Sequence, residues 1–119
     1  MPELQDVDNS VLARLRDTGG DKFVVELIDL FLEHVPKKIA EAVAGEKAGD
    51  PVAVERAAHS VKSSAGNIGA EALLELSGQI EQLASEKKQK SLAPLMGQLE
   101  AAYSRLQARL QMLKKGMEE

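Results

Sequence analysis

Apolar residues recur at three- and four-residue intervals along almost the whole chain, the spacing that gathers them on one side of an α-helix. The clearest run is Val54, Ala57, Val61, Ala65 and Ile68, a single stripe centred opposite His59. Proline, glycine and aspartate cut the pattern into segments. Residues 8–16 predict a short first helix, capped by Asp8 or Asn9, with Val11, Leu12 and Leu15 as its apolar side. Thr18-Gly19-Gly20-Asp21 stops it and caps a long second helix over 22–47. Phe23, Leu27, Leu30, Phe31, Ile39 and Val43 form the stripe of that helix, with a kink or split expected at Pro36. Gly49-Asp50-Pro51 supplies a terminal glycine, a capping aspartate and a first-turn proline, so a third helix starts there and runs to about residue 66. After the turn at Asn67-Ile68-Gly69, the 3-4-3 spacing of Leu73, Leu76, Ile80 and Leu83 marks the next helix. Residues 87–90 read as a solvated lysine-rich loop. Ser91 then caps a last helix with Leu92, Leu95, Leu99, Ala102, Leu106 and Leu113 as its seam and Pro94 in its first turn.

Short connections between long helices favour antiparallel neighbours. The expected fold is all-α: an antiparallel up-and-down four-helix bundle over 21–115, with the short N-terminal helix laid across one end. A chain of 119 residues fits a single domain over 1–119. Composition agrees, at 44% hydrophobic but only 3% aromatic, dominated by residues that favour helices over strands. The absence of cysteine excludes disulfides and thiolate metal sites, and a His34–His59 pair lacks the carboxylate spacing of a metal centre, so no metal is expected. A net charge of −4 argues against nucleic acid as the partner. No apolar run reaches the ~20 residues that span a membrane, and the first residues carry neither the basic nor the apolar part of a secretory signal. A soluble, cytoplasmic protein is expected.

His59 is the residue with chemistry to offer. At roughly 100° per residue, Val52, Glu55, Arg56, Lys62, Ser63 and Gly66 fall within about 60° of it, and the core stripe falls on the far side. The histidine is thus presented to solvent among small residues, with a lysine one turn away. His34 differs, projecting onto the Phe23, Leu27 and Leu30 side of its helix, where a role at the edge of the core is expected.

The run His59-Ser60-Val61-Lys62-Ser63-Ser64-Ala65-Gly66-Asn67-Ile68-Gly69-Ala70 resembles the signature of histidine-containing phosphotransfer (HPt) domains, roughly His-x-Leu-Lys-Gly-Ser-Ser-x-x-Leu-Gly-Ala. The helix layout is similar to that family over nearly the whole chain. The resemblance implies a bundle that accepts a phosphoryl group on histidine and exchanges it with aspartates of response-regulator receiver domains or of a hybrid sensor kinase. His59 would be the phospho-acceptor and Lys62 the cation beside the phosphoryl group. Gly66 and Gly69 would keep the surface low, and Glu81 would contact the imidazole. Ser63 stands where the family usually has glycine, Val61 where it has leucine, and Ala65 where it often has serine.

The chemistry suits these roles. A neutral imidazole is nucleophilic near pH 7, its ordinary pKa being about 6.5. A phosphoryl group brings roughly −1.5 to −2 charges, which a lysine one turn away offsets. No nucleotide-binding glycine loop is present, so the chain reads as a phosphocarrier without its own ATP site or cofactor, the Mg2+ belonging to the partner receiver. Val52, Arg56, Ser63 and Gly66, with Leu12 or Leu15 of the short helix, are the expected docking surface of a monomer. Two other readings compete. A sensor-kinase dimerisation segment would carry an acidic residue directly after the histidine, where this chain has Ser60, and a nearby Thr-Pro, where the next proline is Pro94. A purely structural helical adaptor would leave His59 unmodified.

Overall fold

A computed structural model describes residues 4–118. Four helices account for nearly all of them: α1 (Asn9–Lys47), α2 (Pro51–Ile68), α3 (Glu71–Ser85) and α4 (Gln89–Glu118). α2 packs on α1 and α3, and α4 packs on α3 and α1, so the four close into a ring around one core. Val24, Ile28 and Val35 of α1 meet Val54 and Val61 of α2, Leu73 and Ile80 of α3, and Leu92, Leu99 and Leu106 of α4 in that core. Phe31 and Tyr103 stack there with ring centroids 6.4 Å apart. Burying this apolar surface is what holds the bundle together.

The helix starts follow local chemistry. The Asp8 carboxylate accepts from the Ser10 N–H at 2.9 Å and caps α1. The Asp50 carboxylate accepts from the Ala53 N–H at 3.1 Å and caps α2, with Pro51 in the first turn after it. Gly69 ends α2 at φ +79°, a left-handed conformation that favours glycine. The five apolar residues assigned to the inner side of α2 are all buried.

Several sequence expectations change. The break expected after residue 16 is a single residue, Gly20 (φ +83°, ψ 178°), and helical structure continues up to it on one side and from it on the other. Thr18 caps nothing; its hydroxyl donates back to the Arg14 carbonyl at 2.9 Å, inside the turn. Pro36 lies within α1 without interrupting it, Gly20 being the non-helical residue of that span. In the first half of the long helix the core ladder is Val24, Ile28 and Phe31, whereas Phe23 and Leu27 are half-buried and Leu30 is exposed. Two apolar ladders run side by side there, and packing against α2 and α4 selects the inner one. α4 starts at Gln89, ahead of Ser91, and the turn before it is made by Lys87 at φ +57°. Its seam also includes Met96, Tyr103 and Leu110, with Leu95 and Leu113 only partly buried.

Candidate functional site

His59 stands on α2 where the projection places it, its side chain 62% exposed. The imidazole does not stand free. Its Nδ1 lies 2.7 Å from Oε2 of Glu81 on α3, and Lys62 Nζ lies 2.7 Å from the other oxygen of the same carboxylate, Oε1. Glu81 therefore joins two α2 side chains three residues apart, reaching them from the neighbouring helix. Its carboxyl is held below the ordinary glutamate value of 4.5, chiefly by the Lys62 ammonium and then by His59, against partial burial that pushes the other way. An ionised carboxylate only accepts hydrogen bonds, so Nδ1 carries the proton. The lone pair of the neutral ring is then on Nε2, the nitrogen left open. One contact thus fixes both the tautomer and the ring orientation.

Two α3 residues that sequence reasoning missed complete the setting. A Cβ on Gly78, one turn before Glu81, would stand 3.6 Å from Lys62 Cδ, so the lysine stem lies across this glycine on its way to the carboxylate. A Cβ on Gly66 would meet Leu74 Cδ1 at 3.9 Å, which places Leu74, 38% exposed, beside the glycine strip of α2. The signal was present: Leu74, Gly78 and Glu81 follow a 4-3 spacing, one face of α3 laid along Lys62 and Gly66. Val52, 51% exposed, joins Arg56, His59 and Glu81 around a shallow open depression of about 530 Å³. Ser63 and Gly66 are both exposed.

Leu12 does not join this surface. Leu12 is only 4% exposed and belongs to the core, and Leu15 packs against that core. The N-terminal segment instead docks at the α2–α3 turn, where the Asp8 N–H donates to the Gly69 carbonyl at 2.7 Å, ten residues beyond His59. Leu12 was placed from its own helix, and its burial depends on where that helix lands. His34 is exposed and lines a depression with Leu27, Leu30 and Ser64 that also reaches the core residues Phe31 and Ile68, at the edge of the core. Among the described residues no group of three or more His, Asp or Glu side chains is placed to hold a metal ion, and no helix is long and apolar enough to cross a membrane.

An exposed histidine held by a carboxylate on a four-helix bundle is matched by family. The family model described as Hpt domain covers residues 26–109. The chain belongs to the Hpt domain family. The fold is similar to the crystal structure of histidine-containing phosphotransfer protein B from Pseudomonas aeruginosa PAO1, with a TM-score of 0.88 and 25% sequence identity over 95% of this chain and 97% of that one. No curated protein matches the chain. As an Hpt domain it is a phosphocarrier, a histidine phosphotransfer module of two-component phosphorelays, and receiver domains of response regulators are the partners its family implies.

Proposed function

We propose that His59 is the phospho-acceptor and that Nε2 is the atom that carries the phosphoryl group. The observation that supports this is the 2.7 Å contact between Nδ1 and Glu81, which leaves Nε2 open on an exposed ring. Transfer from a receiver breaks the P–O bond of the aspartyl phosphate and forms a P–N bond at Nε2. The departing carboxylate stays on the receiver. Because Nδ1 keeps its hydrogen throughout, no proton has to move, and the ring becomes a cation facing the Glu81 carboxylate. The reverse step returns the lone pair to Nε2 and the phosphoryl group to the aspartate. Lys62, one turn from His59 and paired with the same Glu81 carboxylate, offsets the incoming charge. The Mg2+ that in-line transfer uses is supplied by the receiver, and this chain has neither an ATP site nor a cofactor of its own.

The receiver docks over Val52, Arg56, Ser63 and Gly66, and Leu74 extends that surface onto α3. Small and apolar residues let the partner approach, while Arg56 and Lys62 meet the acidic mouth around its aspartate. The module works in the cytoplasm and presents one such face per chain. Incubation with a phosphorylated cognate receiver, followed by phosphorus NMR of the acid-labile, alkali-stable product, tests the assignment. The expected signal is that of a phosphoryl group on Nε2. A signal from Nδ1, or label elsewhere in the chain, would overturn it.

A further inference from the structure

The N-terminal segment is joined to the bundle by one unusual residue. A straight helix of 39 residues would span about 58 Å at 1.5 Å per residue, whereas the longest dimension of the molecule is 45 Å. The turn that shortens it is made at Gly20, whose φ of +83° and ψ of 178° belong to a region that essentially only glycine occupies. A Cβ there would have no described atom within 4 Å. Phe23 lies against Gly19 and Arg16 Nε pairs with Asp21 Oδ1 at 2.7 Å across the turn, so these contacts at the hinge come from α1 itself, and regular helix lies on both sides of it.

What the hinge delivers is a set of specific contacts. The Asp8 N–H donates to the Gly69 carbonyl at 2.7 Å, the Ala72 N–H donates to the Gln5 carbonyl at 3.1 Å, and the Gln5 N–H donates to the Glu71 carboxylate at 3.1 Å. Arg105 of α4 lies 3.6 Å from Asp6. Val7 and Leu12 are buried, and Val11 fits so closely over Gly69 that a Cβ on that glycine would stand 2.7 Å from it. The segment is thus a fitted plug over the α2–α3 turn, attached through a joint whose contacts, Phe23 on Gly19 and Arg16 with Asp21, stay within α1.

We infer that residues 4–19 are an exchangeable arm whose other acceptor is a second copy of this chain. When Gly20 takes helical angles, the helix runs on without a break and the arm leaves its own α2–α3 turn. The arm of each copy then seats on the turn of the other. The contacts of the arm with α2, α3 and α4 re-form between chains, the local Arg16–Asp21 and Phe23–Gly19 contacts rearrange, and the backbone change falls on the residue whose turned conformation favours glycine. Closure within one chain is favoured by an effective concentration in the millimolar range, so dilute protein is monomeric and the exchanged dimer forms as concentration rises. His59 lies roughly 15 Å along α2 from Gly69, so both phosphotransfer faces stay open in the dimer.

Light scattering from about 10 µM to about 1 mM, on the native chain and on Gly20→Ala, tests this. Alanine favours the straight helix, so Gly20→Ala should dimerise at a concentration at least ~10-fold lower, with label per chain unchanged. The chain has no cysteine, so Gln5→Cys with Ala72→Cys reports which chain holds the arm. On oxidation the pair should close within one chain in the native background and between two chains in the Gly20→Ala dimer. A Gly20→Ala chain that stays monomeric, or a dimer in which the pair closes within one chain, would overturn the inference. Should Gly20→Ala fail to fold, the double-cysteine native chain is refolded at about 1 mM and oxidised. Cross-linked dimers support exchange, and monomers alone refute it.

Discussion

The two histidines of this chain both stand on outward faces of bundle helices, and each has exposed apolar surface beside it. His34 neighbours Leu27, Leu30 and Ser64 across the α1–α2 groove, whereas His59 neighbours Val52 and Arg56 above α3. The difference is a third element. α3 brings Glu81 to within 2.7 Å of His59 Nδ1 and ties Lys62 to the same carboxylate, whereas among the described residues no side chain is hydrogen-bonded to His34. Exposure makes a histidine reachable. A fixed carboxylate makes one nitrogen of it a defined nucleophile.

The strongest way to break this contrast is to exchange the two roles by mutation. His59→Gln should keep the fold, since the side chain faces solvent, and lose all label from a phosphorylated receiver. His34→Gln should keep both fold and label. Label retained in the first variant, or lost in the second, would erase the distinction.

Gly66→Leu tests whether the two surfaces differ as docking sites. A leucine beside Leu74 would hold a receiver off by more than an ångström, and transfer from the receiver should fall by about 100-fold. Phosphoramidate, being small, should still label His59. Leu30→Ala, on the His34 side, should leave both routes intact. Equal losses from the two donors would mean that Gly66→Leu had disturbed the histidine and not the docking.

Glu81→Gln sharpens the comparison by making His59 more like His34. It should slow transfer by about 10-fold while the protein stays folded. The pH dependence has a definite sign. Because the Glu81 carboxyl is held below 4.5 in the folded protein, its contribution to stability is fully present above that pH. The contribution is lost as pH falls through the lowered value. The native protein should therefore lose its stability advantage over Glu81→Gln in urea titrations taken below pH 4.5. An advantage that grows on acidification would contradict the ion-pair geometry.

The smallest effect is expected from Lys62→Ala. Its side chain is 39% exposed, so stability should change by no more than about 0.5 kcal/mol, while phosphorylated His59 should become shorter-lived or form more slowly. Thermal unfolding and the decay of label read the two effects separately. A large stability loss with unchanged transfer would make Lys62 a structural residue.

Much of this molecule is written in local order. The 3-4 spacing of Val54, Ala57, Val61, Ala65 and Ile68 determined which side of α2 is buried, and hence that His59 points outward, because a helix with one apolar face has one way to bury it. Asp8, Asp50, Pro51 and Gly69 likewise determined where helices begin and end, since caps act within a turn of themselves. The family signature, being contiguous, was legible as well. Contacts between helices were decided only by tertiary structure. Whether Val24 or Phe23 faces the core depends on how α1 rolls against α2 and α4. The burial of Leu12 depends on the turn at Gly20. The resemblance pointed to Glu81 beside the imidazole, but that one carboxylate holds both His59 and Lys62 depends on the register between α2 and α3, which no spacing within either helix encodes.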